Sequence, residues 1–255
     1  CRTGIARAFR GALNQTHGIP LAAHVLRQAV ARAGIDSGEA ADIVLGCGLP
    51  QGATGHNIGR TAALEAGFDV PGVTVNRYCG SGLTAASMIA SRIATGEISC
   101  GIAGGVESIS LVQIGIAVDG FFYAPLQARM PAVWWTMNET ADFVAKKYNI
   151  NREALDRYVV GSQQRVEAAR AAGKFAEEIT PFTTKMKVTD RATGQSREQE
   201  VTLDHDEGPR ADTDRARGTG SVSRTGGNRG GRTRGSSPRA CRLSRRSGSA
   251  CPRAR

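Results

Sequence analysis

The chain has 255 residues, 40% of them hydrophobic and 22% charged, which is enough for one sizeable core and a second, smaller unit. No run of eighteen apolar residues occurs and the first residues show no basic-then-apolar leader, so neither a membrane span nor a secretory signal is expected. The net charge of +10 is local: residues 215–255 hold twelve Arg and no Lys, Asp or Glu, whereas the first 214 residues carry 21 basic against 23 acidic groups. By charge, that body is not a nucleic-acid-binding domain.

In chain order, "PLAAHVLRQAVARAG" (20–34) has Leu21, Val25 and Ala29 on one face and Gly34 at a C-terminal stop, as an amphipathic helix does. "DIVLGCGL" (42–49) is a short apolar run bounded by turn residues, the pattern of a buried strand. An Ala-rich helix is expected over 58–67, a strand in "GVTVNRYC", a helix in "GLTAASMIASRIATG" and a strand in "SCGIAGGVES". This alternation predicts a parallel α/β layered core. The helix over 82–94 is small and apolar on nearly every side, which predicts burial all round.

After Ser110 the texture changes to an irregular, aromatic-rich, Pro-broken stretch, "DGFFYAPLQARMPAVWWTM". Two helices are expected next, in "NETADFVAKKYN" and after Asn151 as an N-cap. Strand-like polar segments, "TTKMKVTD" and "EQEVTLDHDEGPRADT", follow. Three units result: a core over 1–110, an accessory region over 111–214, and a tail over 215–255. The tail lacks periodicity and apolar content and is expected to be disordered.

The six cysteines (1, 47, 79, 100, 241 and 251) show no C-x-x-C spacing, so no metal site is expected, and a reducing cytoplasm is the plain reading. Cys79 falls where a strand turns into a helix and is followed by Gly-Ser-Gly. A helix N-terminus favours the thiolate, and small residues admit a thioester and let N–H groups face a developing oxyanion. The same position also suits an inert buried cysteine, and spacing leaves both readings open. Cys47 and Cys100 lie in apolar strand segments, where inertness is expected. His56 is the only histidine near this region and is expected at the surface; His17 and His24 are weaker candidates still, and His205 sits in an acidic turn.

"NRYCGSGLTA" together with "IAGGVESIS" resembles the thiolases, in which an Asn-Arg-x-Cys-x-Ser-Gly turn carries the acylated cysteine. "RAFRGAL", "GRTAALEAGFDVPGVTVN", "MNETADFVAKKYNINREALDRYVVGSQQRVEAA" and "DEGPRADT" are similar to thiolase segments in the same order, from about residue 2 to residue 214. The resemblance implies the N-terminal layered domain of that fold with an inserted loop region over 111–214 covering coenzyme A. It implies acyl transfer between CoA thioesters with Cys79 as nucleophile, acetyl-CoA, acyl-CoA and CoA as substrates, no further cofactor, and a dimer or tetramer. Met137 falls where the family lines its substrate channel, although Asn138 stands where Gly is usual. Ser81 and Gly82 are expected as structural neighbours rather than reagents.

The family's later Gly-His-Pro, Cys-x-Gly-Gly-Gly and Asn-Glu-Ala segments do not occur in this sequence, so the second core domain is expected to be missing and the chain inactive. The tail reads as a frameshift: codons for Ser236–Ala240, displaced by one base, can spell the Val-Thr-Ala-Gly of the family. The alternatives are a non-catalytic product whose Arg-rich tail binds nucleic acid, and a remnant that binds acyl-CoA without turnover.

Overall fold

The computed structural model describes residues 1–113, 120–190 and 192–209. The expected tail over 215–255 lies outside these residues. Twelve α-helices and strands are described, with short 3-10 turns between them: α1 (Gly18–Ala33), β1 (Ile43–Gly46), α2 (Ile58–Ala66), β2 (Gly72–Val75), α3 (Ser81–Ala94), β3 (Ile102–Gly105), α4 (Ile109–Val112), α5 (Ala124–Arg129), α6 (Met137–Lys147), α7 (Arg152–Ala171), β4 (Phe182–Thr189) and β5 (Ser196–Leu203).

The core is a parallel three-stranded sheet in the order β2-β1-β3, with Ile43 opposite Gly72 and Ile102. All four residues of central β1 are buried. Because side chains alternate along a strand, Ile43, Leu45 and Cys47 join Leu21, Leu26, Ile58 and Ala62 from α1 and α2, while Val44 meets Ala85 and Ile89 of α3. The sheet is thus sandwiched between helices, and β1 reads as a continuous apolar run for that reason.

Local chemistry sets the helix ends. His17 caps α1, its Nδ1 accepting the Ile19 N–H, and Gly34 ends the helix in the left-handed conformation at φ 67°. Asn57 caps α2 and Asn151 caps α7. Thr136 and Glu139 form a reciprocal capping box before α6. No helix among the described residues is long and apolar enough to cross a membrane.

One expectation changes. The α3 helix is not buried all round: only Ser81, Ala85 and Ile89 are buried, while Leu83 is 80% exposed and Met88 and Ile93 also face outward. Its inner stripe packs on the sheet, and nothing among the described residues covers the opposite side. The acidic "DHDEG" segment latches the N-terminal segment. Asp206 accepts from the Ile5 N–H and from the Arg2 guanidinium, which also pairs with Glu178. Glu207 accepts from the Arg7 and Ala12 N–H groups. The Arg2 hydrogen bond is the main cause holding the Asp206 carboxyl below its usual range. His205 does remain exposed, beside Asp204.

The β4–β5 hairpin is antiparallel and meets α1 at His24, whose ring stands edge-on to Phe182 at 5.1 Å. His24 Nε2 is buried without a partner, and burial, reinforced by Arg27, lowers its pKa from 6.5. The fold therefore favours neutral His24, whereas the unfolded chain takes up a proton near 6.5. This contribution is complete above that pH and is lost as pH falls through the lower folded value. The Asp206 contribution persists into more acid solution, because it is complete above 3.8 and lost only below. Between about pH 7.5 and about pH 5, the thermal midpoint of the wild type should therefore fall more steeply than that of His24→Leu; equal slopes would remove His24 from the hairpin's pH response. Changing Leu83 and Met88 together to Gln should raise soluble yield and shift stability by no more than about 0.5 kcal/mol, as for surface positions. A large loss on urea unfolding would show instead that the outer face of α3 is packed.

Candidate active site

The segment Asn76–Gly82 makes an elbow between β2 and α3. Its key conformation is at Tyr78, which holds φ 47°, a left-handed value that a bulky side chain rarely adopts. Neighbouring side chains enforce it. Asn76 Oδ1 accepts the Tyr78 N–H at 2.8 Å, and the buried Ser81 hydroxyl accepts the Arg77 N–H at 2.8 Å while donating to the Tyr78 carbonyl at 2.6 Å. Below the elbow, Gly46 of β1 faces α3, and a Cβ there would stand 2.4 Å from the Ser81 carbonyl carbon. The strand can support the helix start only because residue 46 has no side chain.

Cys79 sits at the apex and is exposed, whereas Cys47, one strand away, is fully buried. Burial, followed by the Glu107 charge, pushes the Cys47 thiol up, which keeps it protonated and inert. Cys100 is half-buried, and its carbonyl accepts the Ala41 N–H just before β3. Of the cysteines, then, the structure presents Cys79 at a helix start whose N-cap, Gly80, offers no side-chain acceptor. That leaves the positive end of the α3 dipole open beside the thiol.

Of the Gly-Ser-Gly amides, those of Gly80 and Ser81 are engaged within the elbow. They close the turn by donating to the Arg77 and Tyr78 carbonyls, each at 3.0 Å. The first-turn amides left without an intrahelical acceptor are those of Gly82 and Leu83. Ser81 is structural, as expected: its hydroxyl is fully engaged in the turn.

The other candidates lie apart from the elbow. His56 is exposed in a turn at φ 53°, and His17 is a helix cap. Met137 opens α6 and is 78% exposed. In the same region of the chain Phe121, Phe122 and Trp134 stack on one another with centroids 5.2–5.5 Å apart, and Trp135 stacks on Phe143. A groove of about 520 Å³ runs between α1 and the edge of β3; it is lined by Leu21, Val25 and Ile102 and does not include Cys79. No cluster of metal-ligating side chains exists among the described residues. Removing the Ser81 hydroxyl in Ser81→Ala should lower stability by about 0.5–1.5 kcal/mol, since it takes one partner each from the part-buried Arg77 amide and Tyr78 carbonyl. An unchanged midpoint in guanidinium would show that the hydroxyl does not hold the elbow.

Comparison with known proteins agrees with this geometry. Residues 1–216 match the family described as "Thiolase, N-terminal domain". The chain is similar to the 3-ketoacyl-CoA thiolase of Bacillus subtilis, 36% identical over 83% of this chain and 54% of that protein. It is similar to the acetyl-CoA acetyltransferase of Cupriavidus necator, 38% identical over 71% of this chain and 49% of that one. Among solved structures, the acetyl-CoA acetyltransferase of Bacillus anthracis superposes with a TM-score of 0.69 at 31% identity, over 83% of this chain and 54% of that one. The chain thus spans about half the length of the relatives it matches. With the parallel α/β core and the cysteine elbow, these matches place the chain in the thiolase family, as its N-terminal domain.

Proposed function

We propose that the chain carries the acyl-accepting half of a thiolase-type acyltransferase, with Cys79 as the nucleophile. The single observation that supports this most is the exposed Cys79 thiol on a strained elbow at an uncapped helix start. In the reaction, Sγ attacks the thioester carbonyl, a new C–S bond forms, and CoA leaves as its thiolate and takes up a proton. The Gly82 and Leu83 amides are the donors available to the oxyanion in that step. Residues 111–214 cover coenzyme A, Met137 lines the acyl path, and the working assembly is a dimer or tetramer in the cytoplasm. The exposed aromatics of residues 121–143 supply the apolar surface that such a cover uses.

The same reading makes this chain slow beyond the first step. Carbon–carbon bond formation requires a base for the α-proton of the second thioester. His17 caps a helix, His24 packs on Phe182, His56 is in an exposed turn and His205 pairs with Asp204, so each histidine of the sequence is engaged elsewhere or sits outside the elbow. Incubation with acetyl-CoA should add one acetyl group, mapped to Cys79 by peptide mass spectrometry and abolished in Cys79→Ser, with no acetoacetyl-CoA released. Acetylation elsewhere would overturn the assignment, and release of acetoacetyl-CoA would overturn the arrest.

The frameshift reading of residues 215–255 has its own test, the intact mass of the product of the native gene. A mass well above 26.8 kDa, with a second domain in frame, supports it. A mass at that value makes the Arg-rich tail real, and salt-dependent RNA binding becomes its expected property.

A further inference from the structure

The elbow needs support from below as well as from its own side chains, and one acidic residue reaches it. Glu107 follows β3 by two residues, and its Oε1 accepts the N–H of Gly48, two residues beyond β1. Gly48 in turn lies against the elbow: a Cβ built on it would stand 3.4 Å from both the carbonyl carbon and the carbonyl oxygen of Tyr78, and 3.1 Å from Glu107 Oε1. The Tyr78 carbonyl is the group that receives the Ser81 hydroxyl and the Ser81 amide. The ends of β3 and β1 and the strained residue before Cys79 therefore form one stack. Among the described residues Glu107 makes no ion pair, so its carboxylate is not there to neutralise a cation.

We propose that Glu107 is a positioning residue, whose carboxylate holds the Gly48 backbone against the Tyr78 carbonyl and so fixes the elbow that presents Cys79. Its consequence for acyl transfer rests on the reading of Cys79 as nucleophile; its structural part does not. The required chemistry is an acceptor oxygen at the end of a two-carbon stem, which Gln also supplies and Ala does not. A residue of this kind acts through geometry, where small displacements of a reacting group carry large rate effects.

The test compares wild type, Glu107→Gln and Glu107→Ala as full chains, in two measurements. In amide hydrogen exchange, Glu107→Ala should speed exchange of the hydrogen-bonded Arg77, Tyr78, Gly80 and Ser81 amides by about tenfold or more relative to amides of α1, and Glu107→Gln should not. In acetylation of Cys79 by acetyl-CoA, per folded molecule, Glu107→Ala should be about tenfold slower or worse and Glu107→Gln within about threefold of wild type. Unchanged elbow exchange in Glu107→Ala, or Gln failing to restore it, overturns the proposal. A wild type that acetylates elsewhere, with the exchange pattern as expected, overturns the assignment of Cys79 and leaves Glu107 as the support of the elbow.

Discussion

The contact on which the rest depends is the one between the C-terminal end of β1 and the first turn of α3. At Gly46 the strand passes under Ser81 and Gly82 at a distance that no side chain tolerates, since a Cβ would lie 2.4 Å from the carbonyl carbon of Ser81 and 2.5 Å from the amide of Gly82. This approach brings the helix start close to the sheet. In the turn that leads into this helix start, Tyr78 takes a left-handed conformation. A non-glycine residue there costs about 1–3 kcal/mol and persists only where its surroundings over-determine it. Asn76 and Ser81 supply that determination within the elbow.

The same geometry divides the labour between cysteines. Cys47 continues the inward phase of β1, so it joins the apolar cluster with Leu45 and Ile58, and its thiol is pushed towards the protonated form. Cys79 lies beyond the end of β2, at the apex of a turn, and is released to solvent. Strand phase and chain reversal thus place two thiols of equal intrinsic chemistry in opposite environments, one buried and one exposed.

Much of this was legible from the residues. Apolar runs, a stop glycine and an Asn cap located α1, β1, α2 and α7 to within a few residues, because those signals are local: Gly34 and Asn151 act on their own turns. The Cys79 turn was legible for the same reason. Long-range pairs were not. Nothing in "DHDEG" reveals that Asp206 and Glu207 accept amides some 200 positions earlier in the chain, because a hydrogen bond between distant segments leaves no periodicity. Nor could the sequence separate the amides within Gly-Ser-Gly: Gly80 and Ser81 are visibly small but not visibly bonded to Arg77 and Tyr78. The capping box at Thr136 and Glu139 was readable from its spacing and lies just ahead of the helix start inferred from the apolar pattern.

The apolar composition of α3 identified a helix that wants burial, and the described residues satisfy that on one side only. Leu83, Met88 and Ile93 face outward on the helix whose first turn carries the site, and the edge of β3 opens into an apolar groove. The helix start, fixed by β1 on one side, is enclosed at Ser81, which is 3% exposed, and open on its outer face at Leu83, which is 80% exposed. The elbow therefore does not borrow its order from whatever covers that face. Its restraints lie within the elbow, at Asn76 and Ser81, and on the sheet side, at the Gly46 contact. Exposed apolar surface of that kind is characteristic of contact with another protein surface.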